Sequence, residues 1–146
     1  MNFEAKMFHE LTVEELYQIM RSRAHVFMME QRIYYLDADN IDQQCLHCFL
    51  WEDGQVIAYL RAFYSDNERQ TVMIGRVLSV EHGRGLGKEL MKKSIPAICE
   101  RLPHTCLSLH SQAQVVGFYE KLGFTVTSEE FVEAGIPHVA MERKQV

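Results

Sequence analysis

The chain lacks the features that mark disorder, membranes and nucleic-acid binding. No proline, glycine or serine tract interrupts its 146 residues, and a composition of 47% hydrophobic against 24% charged residues is not that of a disordered chain. No linker is visible, so one domain spanning residues 1–146 is expected. Met1 to Glu10 sets Glu4, Lys6 and His9 among its apolar residues. It therefore has neither the apolar core of a signal peptide nor the length of a membrane span. No repeat of roughly 20 to 50 residues is evident. The formal net charge of -5 repels nucleic-acid phosphate, although a local basic patch can still hold a small anion. The expectation is a soluble cytoplasmic protein with neither a membrane nor a nucleic acid as partner.

Cysteine is sparse. Cys45, Cys48, Cys99 and Cys106 meet a reducing environment in such a setting, which favours free thiols. Cys45-Leu46-His47-Cys48 has the spacing of half a zinc site or a redox pair. No second close pair completes it, and the motif falls at a strand start instead of a helix start. These residues read as core or edge cysteines, and no metal is expected.

What is present alternates between two periods. Phe3 to Phe8 suggests a first strand, and Thr12-Val13-Glu14-Glu15 has the form of a capping box for a helix to about Phe27. Leu16, Ile19, Met20, Arg23 and Phe27 make its stripe. Residues 28–44 read as irregular and acid-rich. Strands follow at Cys48–Trp51, Val56–Tyr64 and Thr71–Val80, the first pair joined by a tight Asp53-Gly54 turn. Leu86, Leu90, Met91 and Ile95 predict a helix that Pro96 kinks or ends before Cys99–Leu102. Thr105–His110 reads as a strand, and Ser111-Gln112-Ala113-Gln114 as a capping box for a helix that stops at Gly123. Phe124–Val132 and His138–Met141 read as a final hairpin. The fold class is mixed α/β.

The chemistry centres on His82-Gly83-Arg84-Gly85-Leu86-Gly87, a glycine-rich turn between a strand and a helix. Amides exposed at a helix start, with the positive end of its dipole, form an anion site. Arg84, Lys88, Lys92 and Lys93 place four of the 15 basic residues around it, opposed locally by Glu89. A P-loop would need glycine at position 82 and Ser or Thr at position 89, where the chain has His82 and Glu89. A dinucleotide fingerprint would need glycine where Lys88 stands, after a strand opening a parallel unit. Both readings fail, which leaves an anion site of another kind or a turn whose glycines only permit its path.

Here the chain resembles the GNAT family of N-acetyltransferases. That family carries Arg/Gln-x-x-Gly-x-Gly/Ala after its fourth strand, which His82 to Gly87 matches except for the leading His82. Its second signature, Phe-Tyr followed by Gly-Phe, matches Phe118-Tyr119-Glu120-Lys121-Leu122-Gly123-Phe124. The resemblance covers essentially the whole chain. It points to the ElaA-like branch through Val26-Phe27-Met28-Met29-Glu30-Gln31, Ile74-Gly75-Arg76-Val77 and Gly135-Ile136-Pro137-His138.

The resemblance implies a mostly antiparallel sheet with splayed central strands and flanking helices. It further implies an acetyl-CoA-dependent N-acetyltransferase that moves an acetyl group to a primary amine by direct attack in a ternary complex. The backbone at Val77, Leu78 and Ser79 would pair with pantetheine. His82, Gly83, Arg84, Gly85, Leu86, Gly87 and Lys88 would hold the pyrophosphate, and Gln112 would stand where many members have an Asn against the pantetheine arm. Tyr119 would be the general acid to the departing thiolate.

Candidates for the base are Glu30, His110 and His138, because histidine titrates near neutrality and a partly buried carboxylate can be shifted upward. Glu30, Asp37, Asp39 and Asp42 suit a cationic acceptor or simply a solvated loop. The acceptor class is a small-molecule or peptide amine, and homodimerisation stays open. The competing reading is a GNAT-fold module that binds CoA or a metabolite without transferring anything.

Overall fold

The computed structural model describes residues 1–145. Its first strand, β1 (Asn2–Met7), leads to helix α1 (Val13–Arg23). Thr12 caps α1 as expected: its hydroxyl accepts from the Glu15 amide at 3.0 Å while the Glu15 carboxylate accepts from the Thr12 amide at 2.8 Å. Beyond Arg23 the helix widens into π-type turns over Ala24–Glu30, closed by the Gln31 amide on the Val26 carbonyl at 2.9 Å. Such widening shifts the side-chain register, and here it leaves Val26 buried while Met28 and Met29 are exposed.

The meander then forms as the periodicity predicts. Strands β2 (Leu46–Glu52) and β3 (Gln55–Tyr64) are joined by Asp53 and Gly54 at φ 52° and 74°, both left-handed, the geometry of a two-residue hairpin turn. Strand β4 (Thr71–Ser79) pairs antiparallel with β3. Between Gly75 and Leu78 it carries a bulge, two residues of β4 standing against one of β3, with Arg76 at φ 54°. Helix α2 (Leu86–Arg101) returns the chain so that β5 (Cys106–Gln112) lies parallel to β4. Short helix α3 (Val116–Glu120) follows, then β6 (Thr125–Val126), β7 (Phe131–Glu133) and β8 (Ile136–Lys144). The sheet order is β1-β2-β3-β4-β5-β8-β6, with β7 also on β8.

Three local expectations are corrected. Pro96 neither ends nor divides α2, which runs through it without a break. Pro96 lies on the exposed face, so water can satisfy the carbonyl that its missing amide would have served, while buried Ile95 and Ile98 hold the helix on the sheet. The capping box at Ser111 does not form. Ser111 and Gln112 extend β5 opposite Val139 and His138, and the ladder outcompetes the local cap, so α3 starts only at Val116. The strand expected over Phe124–Val132 is two short pieces, between which Ser128 turns its hydroxyl to accept from the Ala140 amide at 2.9 Å.

The two sheet faces bury separate cores. On one, Leu86, Leu90, Met91 and Ile98 of α2 pack with Tyr119 and Phe124 over Leu60, Ile74 and Leu109. On the other, Ile19 and Val26 pack over Phe49, Tyr59 and Leu78. Among the described residues no helix is long and apolar enough to cross a membrane.

Candidate active site

Parallel pairing of β4 with β5 ends at Ile74 opposite Leu109, after which the strands part. The gap opens a cleft of ≈ 730 Å³ lined by Gly75–Ser79 of β4, Leu109, His110 and Gln112 of β5, and Tyr119 of α3. That volume lies within the roughly 300–1,000 Å³ of small-molecule sites. The β4 edge facing it is left without a neighbouring strand. Val80 donates to the Ile57 carbonyl at 2.9 Å, and because amides alternate along a strand, Leu78 is turned to β3 and the Ser79 amide to the open edge.

At the far end of β4 the glycine-rich turn runs directly into α2. Gly83 and Gly85 have φ 82° and 69°, and a side chain at either would meet nothing within 4 Å. Both are therefore required by backbone conformation, not by crowding. Gly87 differs: it lines the cleft, and a Cβ there would sit 3.5 Å from the Phe118 ring. Gly85 is the N-cap and supplies no side-chain cap, so the first-turn amides of α2 remain free to bind an anion.

The positive charge at this turn is smaller than the sequence suggests. Arg84 is gripped by Glu52 at 3.2 Å and Glu81 at 3.0 Å, and Lys93 pairs with Glu89 at 3.1 Å. Among the described residues, Lys88 and Lys92 keep no ion pair.

Tyr119 is buried at 7% exposure, its ring edge-on to Phe118 and Phe124. Its hydroxyl finds no hydrogen-bond partner among the described residues, and burial pushes its pKa up to about 12. The group thus stays protonated at neutral pH, with an uncommitted proton in a residue that lines the cleft. Gln112 also lines it, its side chain held by Gln114 at 3.1 Å and Gln31 at 3.5 Å.

The three base candidates separate. Glu30 is not among the residues lining the cleft. It is bracketed by His25 at 3.4 Å and His82 at 3.3 Å, which ties it to the turn. His110 and His138 both line the cleft and meet on one carboxylate that sequence reasoning missed, Glu133. Glu133 Oε1 lies 2.9 Å from His110 Nδ1, and Oε2 lies 3.8 Å from His138 Nε2. Phe131 packs between the rings, edge-on to His110 and stacked on His138. The Ala134-Gly135 turn folds β7 back on β8 and brings these groups together.

The aspartates of the acid-rich loop are neither simply solvated nor free for a cation, although much of the loop is exposed. Asp37, Asp39 and Asp42 pair with Arg23, Arg61 and Arg76 at 2.6 to 3.4 Å in one network under the loop. The Arg61 hydrogen bond holds the Asp39 carboxyl well below its usual range, against the opposing effect of burial. Burial would raise Asp42, but its bond to Arg23 and its contacts with Arg61 outweigh that and lower it.

The cysteines are free. Burial pushes Cys45 and Cys48 up to about 12, so both are inert thiols at neutral pH. Among the described residues no cluster of three or more His, Cys, Asp or Glu is arranged to hold a metal.

A mixed sheet whose parallel central strands part beside an uncapped, glycine-led helix start defines the acyl-CoA N-acyltransferase architecture. The acetyltransferase (GNAT) domain model matches residues 4–145, and the chain belongs to that family, in its ElaA-like branch. It is 34% identical to Protein ElaA of Escherichia coli over 94% of this chain and 92% of that protein. The crystal structure of E. coli ElaA superposes with a TM-score of 0.91, at 32% identity and covering 98% of this chain and 99% of that one. An acyl-CoA N-acyltransferase from Pseudomonas aeruginosa superposes at 0.90 with 36% identity over 98% and 99%. An aminoglycoside 6'-N-acetyltransferase complexed with coenzyme A shares the fold at 0.73, with 11% identity over 97% and 96%.

Proposed function

We propose that this acetyltransferase takes its acetyl group from acetyl-CoA and passes it to a primary amine of a small molecule or peptide by direct attack within a ternary complex. The observation that carries this reading is the open β4 edge running into the uncapped start of α2. Backbone groups on the open β4 edge at Val77 and Ser79, with Leu78 between them turned to β3, suit an extended amide-bearing arm. The amides from Gly83 to Lys88, with a Lys88 ammonium that has no ion pair among the described residues, suit a diphosphate. Gln112 faces the same arm from β5. Residues 1–146 would act as one domain, and their free thiols fit a cytoplasmic setting.

Transfer needs an uncharged amine, a polarised thioester carbonyl and a proton for the departing sulfur. A free amide on the β4 edge polarises the carbonyl. Tyr119 holds the proton that the sulfur takes. The arginine–aspartate network carries the acceptor-side wall, because Arg61, Arg76 and Asp37 line the cleft with Arg61 paired to Asp39 and Arg76 to Asp37.

Calorimetric titration with acetyl-CoA, followed by thiol detection of released CoA across polyamines, amino acids and peptides, tests the reading. Saturable binding with amine-dependent release is expected. Binding without release on any amine would convert the protein to a non-catalytic CoA-binding module, and no binding would remove both.

A further inference from the structure

The cleft contains a base assembly of its own, made where the β7–β8 hairpin meets the more distant strand β5. Register places His110, the first residue of β5 beyond its last contact with β4, directly at the fork of the parting strands. Through Met73↔Ser108 and Arg61↔Gly75, it shares a sheet face with Met73, Gly75 and Arg61, the face that α1 and its following loop cover. His110 is 36% exposed by side chain and lines the cleft.

The partner that faces it is unusual for this cleft. The other carboxylate lining the cleft, that of Asp37, is neutralised by Arg23 and Arg76. Glu133 has no cationic Lys or Arg within ion-pair distance among the described residues and faces two imidazoles instead. His138 donates Nδ1–H to the Ile136 carbonyl at 2.7 Å, which fixes its ring. His110 donates Nδ1–H to Glu133 Oε1 at 2.9 Å, leaving the Nε2 lone pair uncommitted among the described residues. Phe131 packs against the His110 ring with centroids 5.1 Å apart and restricts its rotation.

We infer that His110 is the catalytic base of the transfer and that Glu133 is its positioning residue, an inference that rests on the acetyl-transfer reading. A carboxylate that holds the Nδ1 proton sets the tautomer, orients the ring and offsets the charge gained when Nε2 takes a proton. The amine nitrogen forms its bond to the acetyl carbon and gives a proton to His110 Nε2. The carbon–sulfur bond breaks with its electron pair on sulfur, which takes the Tyr119 proton. Solvent then returns a proton from the imidazolium to the phenolate, so that amide and free CoA are the only products. Glu30 does not itself line the cleft and is paired with His25 and His82, so the step is assigned to His110.

The test measures kcat, KM and acetyl-CoA affinity for wild type, His110→Ala, Glu133→Gln and the double variant on whichever amine the wild type accepts. His110→Ala is expected to lower kcat by about 10²-fold with acetyl-CoA affinity unchanged, and added imidazole to restore part of the rate. Glu133→Gln keeps an acceptor oxygen for Nδ1–H but removes the charge, and lowers kcat by about tenfold or more in wild type. In the His110→Ala background the same change costs almost nothing, because residues acting as a unit are non-additive. Wild-type turnover that survives His110→Ala overturns the inference alone, as does a rate loss that imidazole leaves untouched and that adds independently to the Glu133→Gln loss. A wild type that binds acetyl-CoA and acetylates no amine overturns the transfer reading and the base with it.

Discussion

At the scale of single residues, a side chain's work follows from what its neighbours leave undone. Tyr119 packs its ring among aromatics while its hydroxyl, without a hydrogen-bond partner among the described residues, belongs to a residue lining the cleft. Tyr119→Phe is therefore expected to leave folding and acetyl-CoA affinity nearly intact while lowering kcat at least about tenfold. Equal kcat in the two proteins would remove the hydroxyl from the reaction. Arg76 is the opposite case, a non-glycine residue at φ 54° in the bulge, whose guanidinium is anchored by Asp37 at 2.9 Å. Left-handed backbone costs an L-residue about 1 kcal/mol or more. Arg76→Ala loses the anchor and keeps that cost, whereas Arg76→Gly loses the anchor and relieves it. Urea unfolding should rank the glycine variant above the alanine variant by about 1 kcal/mol. The reverse order would show that the bulge carries no strain.

At the scale of elements, the start of α2 separates what glycine does for the fold from what it does for the site. Gly85 needs its left-handed φ of 69° to cap the helix, so Gly85→Ala is expected to destabilise the protein by about 1 kcal/mol in thermal or urea unfolding. Gly87 sits inside the helix at ordinary φ, where alanine is intrinsically favoured by about 1 kcal/mol, but its added Cβ would project beside Phe118 in the cleft. Gly87→Ala should preserve stability and weaken acetyl-CoA binding. If calorimetry finds affinity unchanged, Gly87 does not adjoin the cofactor. This element was legible because a glycine-rich run between two different hydrophobic periods is a local signal. The pairing of Arg84 with Glu52 and Glu81 was not, since Glu52 belongs to a distant hairpin. Pro96 misled for a related reason: its local effect is real, but exposure of one face and burial of the other decide whether a helix survives it.

For the molecule as a whole, the loop after α1 is held down by groups whose protonation is coupled to folding. His47 is fully buried, with its Nε2–H donating to the Asp42 carbonyl at 2.9 Å and its Nδ1 accepting from the Tyr59 hydroxyl at 2.7 Å. Burial lowers its pKa. The unfolded chain therefore takes up a proton below about pH 6.5 that the folded chain refuses. Stability contributed by the neutral ring is complete above that pH and is lost as pH falls towards the folded value. Asp39 and Asp42, also lowered, add a second loss below about pH 4, where the unfolded carboxylates begin to protonate first. The urea midpoint should thus fall between pH 7 and pH 5 and again below pH 4. His47→Gln should flatten the first step, and an unchanged slope would exclude His47 as its source. The sequence by itself determined the class of fold, the hairpin at Asp53-Gly54, the Thr12 cap, the glycine-rich turn that opens α2 and the family, because each rests on neighbours in the chain or on a short motif. Only the tertiary structure decided that the aspartates of the acid-rich loop are spent on three arginines and that Glu133 joins His110 and His138. Those contacts span up to 39 residues between partners, and no local periodicity encodes which distant charge a folded sheet will bring within hydrogen-bonding distance.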